Sequence, residues 1–233
     1  MFRSLINYIF PPKCFACNNF TNDRDGICAS CWKKCKFISK PFCLVCCKKF
    51  EVSFAGGVDV CDVCLFSRSK IDSVRALLEF SPEIKGLVHN FKYNDKTVLG
   101  KFFARLIFNN FAEEFKDVDF IVPVPMHKIK RLWRGYNPPQ VLAYALGKFI
   151  NKPVIPDLLI KKSLTKTQVG LNKKERAKNL QGSLEVNEKF DLNSKVVLLV
   201  DDVVTTGATS NECAKLLKNR KAAAVKLVAI AKR

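Results

Sequence analysis

Val197-Leu198-Leu199-Val200-Asp201-Asp202-Val203-Val204-Thr205-Thr206-Gly207-Ala208-Thr209 is the stretch that decides the fold of this chain. The apolar run Val197 to Val200 reads as a strand buried in a parallel sheet. Two adjacent carboxylates stand where that strand ends, a Thr/Gly loop follows, and a helical pattern runs from Ser210 to Leu217. Open α/β sheets bind ligands beyond the carboxyl ends of their strands. A loop opening a helix offers backbone N–H groups and a positive dipole end, both suited to phosphate. Gly207 permits close backbone approach and the threonine hydroxyls add donors. Two carboxylates just before such a cradle suit a vicinal diol, as in ribose. The stretch therefore asks for a sugar phosphate.

The order D-D-x-x-T-T-G-x-T resembles the phosphoribosyl pyrophosphate (PRPP) signature of type I phosphoribosyltransferases. That resemblance makes Asp201 and Asp202 the catalytic pair, holding the ribose 2′- and 3′-hydroxyls. It makes Val203, Val204, Thr205, Thr206, Gly207, Ala208 and Thr209 PRPP-binding residues, with Val204 to Thr209 wrapped around the 5′-phosphate. A plain buried strand with a polar turn is the competing account. Apolar runs ending in Asp are common, but the ordered signature is not.

Outward from this stretch, strand-like and helix-like segments alternate. Ser73 to Phe80, Asp119 to Val124, Val154 to Ile160, Lys195 to Val200 and Val225 to Ala231 read as strands. Pro82 to Phe91, Val98 to Phe111 and Pro138 to Phe149 read as helices, the last with proline near its start, where a missing N–H costs little. This alternation predicts a parallel α/β sheet with helices on both faces. The expected organisation is a small cysteine-rich zinc domain over 1–70 and a phosphoribosyltransferase-like domain over 71–233. No internal repeat is visible. No apolar run reaches the roughly 18 residues of a membrane helix. Met1 to Phe10 has helical apolar spacing but is short and lacks a small-residue cleavage site, which predicts a helix packed on the adjoining domain rather than a signal peptide.

Ten of the eleven cysteines precede residue 65. Eight form the Cys-x-x-Cys pairs Cys14/Cys17, Cys28/Cys31, Cys43/Cys46 and Cys61/Cys64. Such a knuckle lets both thiolates reach one tetrahedral ion, and two knuckles complete a four-thiolate site. Disulfides would need an oxidising compartment, which no export signal supports. A redox site calls for one exposed pair rather than several in series. The expectation is two structural zinc ions replacing a core that so short a segment cannot build. Sequential and crossed pairing both remain open, and Cys47 could substitute for Cys46.

Two basic stretches flank the signature strand's neighbours. Lys128, Lys130, Arg131 and Arg134 form a basic loop after the Ile121-Val122-Pro123-Val124-Pro125 strand end, and Arg134-Gly135-Tyr136-Asn137 leads into a helix, a favourable place for an anion. Ser163 to Gly182, with Lys166, Gln168, Lys173, Lys174, Arg176 and Lys178, is long and polar enough to serve as an active-site lid. Arg134 and Arg176 are the expected pyrophosphate-neutralising residues. The formal net charge of +19 invites phosphate polymers, with Lys128, Lys130, Arg131, Lys218, Arg220 and Lys221 as candidate nucleic-acid contacts. A basic proteome accounts for the charge equally well. The C-terminal cations face no acid along the sequence, and Trp133, Tyr136 and Phe66 are aromatics that could stack on bases.

Taken in order, these features resemble the ComF family of competence-associated proteins. The matching elements are Phe10-Pro11-Pro12 before the first knuckle, the knuckles themselves and His89-Asn90-Phe91-Lys92-Tyr93. Val-Pro-x-Pro, Arg-Gly-Tyr-Asn, the Gln168…Arg176…Asn179 pattern and the signature complete the series. Pro138-Pro139 departs slightly, where family members carry a polar residue. The resemblance implies a cytoplasmic protein, peripheral at the inner membrane, that handles incoming single-stranded DNA in natural transformation. It implies structural Zn²⁺, PRPP bound with Mg²⁺, and a DNA-uptake helicase or inner-membrane channel as protein partner. The alternative is a metabolic phosphoribosyltransferase that transfers to an unidentified acceptor and releases pyrophosphate. A PRPP sensor on a DNA-binding protein would keep the same signature.

Overall fold

The computed structural model describes residues 11–21, 26–51, 59–66, 69–93, 98–162 and 182–233. The expectations for Met1 to Phe10 and for nearly all of Ser163 to Gly182, Arg176 included, lie outside the described residues.

Four strands make a wholly parallel sheet. They are β1 (Ser73–Glu79), β2 (Phe120–Pro123), and, after the hairpin β3 (Leu159–Lys161)/β4 (Leu184–Val186), β5 (Val196–Val204) and β6 (Ala224–Lys232). Their order is β1-β6-β5-β2. The signature strand β5 is central, which is why Val197 to Val200 are apolar without alternation and fully buried. Helices alternate with the strands as expected. After α1 (Ala29–Lys34) and α2 (Asp62–Leu65) in the cysteine-rich part come α3 (Pro82–Tyr93), α4 (Val98–Phe111), α5 (Lys128–Arg134), α6 (Pro138–Ile150) and α7 (Ala208–Asn219).

The sheet separates two apolar layers. Leu198, Val200, Val228 and Ile230 face α3, α4 and α6, where Phe91, Phe103 and Leu142 are fully buried. Val197, Leu199, Val225 and Leu227 face α7, the β3/β4 hairpin and part of the cysteine-rich segment. Gly100 and Gly147 let α6 sit close, since a Cβ there would meet Val141 Cγ1 at 2.6 Å or the Lys152 carbonyl at 2.9 Å.

Three expectations need correction. The strand placed over Val154 to Ile160 is split. Val154 bridges Ile121 in parallel, extending the β2 edge by one residue pair, and β3 then pairs antiparallel with β4. Pro156 lies at the break; it lacks an N–H for the ladder. Lys128 to Arg134 is a helix rather than a loop, capped by His127, whose Nδ1 accepts from the Ile129 N–H at 3.2 Å. The cysteine-rich part does contain a repeat. Lys13/Phe20 and Phe42/Lys49 are equivalent antiparallel bridges, each closing a knuckle that a short helix, α1 or α2, then completes. Unequal spacing between the knuckles of each unit hides this in the sequence.

The two units straddle the β1 edge of the sheet. Phe37 bridges Leu78 antiparallel, with Ile38 N–H to Leu77 O at 3.0 Å and Glu79 N–H to Lys36 O at 2.9 Å. The edge is thereby covered rather than left open to other strands. The first unit leans on the α3/α4 layer, through Asn90 Nδ2 to Phe15 O at 2.5 Å and Trp32 edge-on to Phe102. The second leans on the opposite layer, where Arg75 donates to Leu44 O at 2.8 Å, lies over the Phe42 ring and pairs with Glu114.

Candidate functional site

The eight knuckle cysteines gather as two clusters, Cys14/Cys17/Cys28/Cys31 and Cys43/Cys46/Cys61/Cys64, with the sulfurs of each within 4.8 Å of one another. Pairing is therefore sequential. A tetrahedral zinc with Zn–S near 2.3 Å sets sulfurs about 3.8 Å apart. Cys17 and Cys28 sulfurs stand 3.8 Å apart, and those of Cys46 and Cys61 3.7 Å. Backbone N–H groups point at the sulfurs, Cys28 N to Cys14 Sγ at 3.2 Å and Cys61 N to Cys43 Sγ at 3.3 Å. Hydrogen bonds from Ser30 first, then the Cys31 backbone, hold the Cys28 thiol down at about 6. Soft thiolates in this geometry fit zinc, and every position is filled by protein, so the sites are structural. Cys47 does not substitute for Cys46. Its φ of +60° matches Asn18 at +61° after the first knuckle, and its sulfur points to Ala76 O.

The signature forms a second centre. β5 continues through both carboxylates to Val204, so Asp201 and Asp202 point to opposite faces of the sheet. Asp201 faces α7, where its Oδ2 accepts from Ser210 Oγ at 3.3 Å. Burial, then the Asp202 charge, push its carboxyl up to about 7. Asp202 faces α3, and its Oδ1 pairs with Lys92 Nζ at 3.1 Å. Thr205, Thr206 and Gly207 then form the loop. Gly207 caps α7 at φ +68°, a conformation that favours glycine. No acid lies in the first turn of α7, and only Thr206 Oγ1 approaches the Ala208 N–H, at 3.4 Å. Val124, Asp201 and Val203 to Ser210 enclose a cavity of about 190 Å³. A helix start, three threonines and a carboxylate around that volume can hold a phosphate with an attached hydroxylated ring.

Arg134 closes α5 and lies 4.3 Å from the Tyr93 ring centre, at the end of α3 one residue from Lys92. Gly135 at φ +78° turns the chain there, and Tyr136 donates to Phe91 O. Lys92 thus joins the site without having been assigned a role in the sequence. Its place beside Asn90 and Phe91 was the available signal. His127 was also missed; its Nε2 lies 3.3 Å from Lys162 O, linking the β2 end to the strand that precedes residue 163. Both α5 and the loop lie beyond carboxyl ends of parallel strands.

The candidate nucleic-acid residues divide. Lys128, Lys130 and Arg131 are exposed on α5 with no acidic partner among the described residues. Beside them Trp133 is 90% exposed and Leu132 78%. The C-terminal cations, by contrast, do face acids: Lys218 pairs with Asp72 at 2.9 Å, Arg220 with Glu188 at 3.0 Å and Lys226 with Asp117 at 2.6 Å. Those acids are far away in sequence, which is why the stretch reads as uncompensated. Lys221 is exposed.

Residues 5–65 match the double zinc ribbon domain and residues 141–233 the phosphoribosyl transferase domain. Competence protein F of Haemophilus influenzae is 28% identical over 213 residues, 88% of this chain and 90% of that protein. Competence protein ComFC of Bacillus subtilis is 27% identical, over 86% of this chain and 82% of that protein. DNA utilization protein YhgH of Escherichia coli is 25% identical, over 72% and 75% respectively. Fold, thiolate clusters and matches together define a class: zinc ribbons set on the edge of a phosphoribosyltransferase-type α/β domain. Within that class, the chain is similar over most of its length to the competence-associated proteins of the ComF family. Among the described residues no helix is long and apolar enough to cross a membrane.

Proposed function

We propose that this protein binds PRPP on the Val204–Thr209 loop and acts on single-stranded DNA during natural transformation. The observation that carries the PRPP reading is Gly207 at φ +68° capping α7 over the cavity that Asp201 also lines. In this reading the 5′-phosphate takes the loop amides and the Thr205, Thr206 and Thr209 hydroxyls. The ribose diol reaches Asp201 and Asp202, and Lys92 leaves Asp202 for the pyrophosphate. Arg134, with Arg176 from the expected lid, offsets the remaining pyrophosphate charge, and Mg²⁺ accompanies PRPP. If transfer occurs, a nucleophile's electron pair forms the bond to the anomeric carbon while the C–O bond breaks and its electrons leave with pyrophosphate. Calorimetry with PRPP and Mg²⁺ tests the binding. Heat in the native protein and none in Gly207→Val is the expected result; equal affinities would reduce the signature to a strand and turn.

The DNA reading is favoured by α5, where exposed Trp133 and Leu132 stand among cations that have no acidic partner among the described residues. Aromatic faces among cations suit single strands, since every base can stack. The relatives' names, two for competence and one for DNA utilization, point the same way. Trp133→Ala is expected to weaken binding of a dT oligonucleotide, measured by anisotropy, by an amount in the range of about 1–3 kcal/mol. Unchanged binding would remove α5 from the DNA surface.

A further inference from the structure

Val204, Thr205, Thr206, Gly207 and Ala208 are a wall common to two cavities. The first is the 190 Å³ pocket beside Asp201. The second, of about 530 Å³, runs between the start of α7 and the second zinc ribbon. Val74 and Leu227 of the sheet line it, Val45 and Val63 line its ribbon side, and Lys48 and Lys232 bring positive charge. Glu212 also borders it but is paired with Lys215 at 3.7 Å. PRPP makes no use of this second space, because its 5′-phosphate is a terminal group. A cavity that continues past the phosphate suits a phosphodiester, with a second nucleoside beyond it. Apolar walls suit a base, and the two ammonium groups suit the backbone that carries it.

We infer that the ribbon-side cleft takes the penultimate nucleoside of a single strand whose 3′-terminal nucleotide occupies the loop and Asp201 pocket. The inference rests on the reading of the loop as a ribose 5′-phosphate site. The terminal sugar offers its free 3′-hydroxyl to the carboxylate, its 5′-phosphodiester sits on Val204–Ala208, and the preceding base lies between Val63 and Leu227. The second ribbon then has a binding role, and PRPP and a strand end exclude each other. A 3′-phosphate would place a dianion against Asp201 and abolish the fit.

The test is binding of 5′-labelled (dT)₆ with a 3′-hydroxyl, followed by anisotropy in the full-length zinc-loaded protein, with PRPP affinity measured in parallel. Competition by PRPP is expected, with weaker binding of the 3′-phosphorylated strand. Val63→Glu, at a side chain 70% exposed, and Lys48→Glu should each weaken the strand about tenfold and leave PRPP affinity unchanged. Retention of both zinc ions shows that the ribbon is intact. A strand that is not displaced by PRPP at concentrations at which PRPP itself binds, equal affinity for both 3′ ends, or no effect of either variant with zinc retained would each overturn the inference. Strand binding that prefers a free 3′-hydroxyl and weakens in both variants, with no PRPP binding at millimolar concentration, would sink the PRPP reading and leave the cleft standing. PRPP binding without strand binding would do the reverse.

Discussion

The two zinc ribbons are built alike and used differently. Each has a bridged knuckle, a left-handed residue after its second cysteine and a short helix that brings the other thiolate pair. The first leans on the α3/α4 layer, where Asn90 and Phe102 meet it. The second leans on the opposite layer and borders the cleft beside the phosphate loop. Neither α1 nor α2 contains a buried side chain, so metal replaces the interior in both units. The difference teaches that what a metal knuckle does depends on the surface against which it is set. The motif itself does not carry that information.

The largest expected effect breaks the similarity at its root. Cys14→Ser and Cys43→Ser should each bring the zinc content from two to one and unfold the unit that carries them. Apparent zinc-binding energies in finger peptides are about 10–16 kcal/mol, far beyond what so small a segment could otherwise supply. Elemental analysis with circular dichroism checks this. Native content without zinc, or folding that survives a chelator, would end the metal account.

The anchors should separate the two ribbons by smaller amounts. Arg75→Leu leaves Glu114 without its cation and frees Leu44 O, with an expected loss of about 2–3 kcal/mol. That lies below the roughly 3–5 kcal/mol of a fully buried pair, because the Glu114 side chain is 32% exposed. Asn90→Ala removes a single bond to Phe15 O and should cost about 1–2 kcal/mol. Urea titrations showing the reverse order would mean the first ribbon is the more firmly anchored.

Much of this was legible in the sequence, because it is local. The signature strand, the flanking helices and the knuckles are written in contiguous residues, and three strands and four helices fall within two residues of their expected ends. Pairing across space was not legible. Asp72, Glu188 and Asp117 reach Lys218, Arg220 and Lys226 from distant segments, so the C-terminal charge looked free. The opposite directions of Asp201 and Asp202 come from a strand that runs past them, which apolar content alone could not reveal. Lys92 became a site residue only when α3 met β5.

Two finer effects sharpen the contrast between the faces of β5. The Asp201 carboxyl is held up at about 7, above its ordinary value of 3.8. A folded-state value above the unfolded one means that its stabilising contribution is full below about pH 4 and is lost as pH rises to about 7. Ribose hydroxyls need the ionised acceptor, so PRPP affinity should rise across pH 6 to 8 by up to about tenfold. Asp201→Asn should flatten that profile, and a profile unchanged by the substitution would separate Asp201 from the diol. The smallest change concerns salt. Replacing Lys128, Lys130 and Arg131 together should lower the single-strand salt slope by about 0.7 for each phosphate no longer neutralised. Replacing Lys218, Arg220 and Lys221 should change it less, since two of the three are already paired.

The most direct measurement of the central claim is isothermal titration of PRPP with Mg²⁺ into the zinc-loaded protein, native and Gly207→Val. A β-branched residue cannot adopt φ +68° without strain, so the loop must reshape while the buried strand and both ribbons remain. Saturable binding in the native protein, with affinity weaker by at least about two orders of magnitude in the variant at equal zinc content, is the predicted result. Native protein that binds no PRPP, or a variant that binds it equally well, would contradict the account.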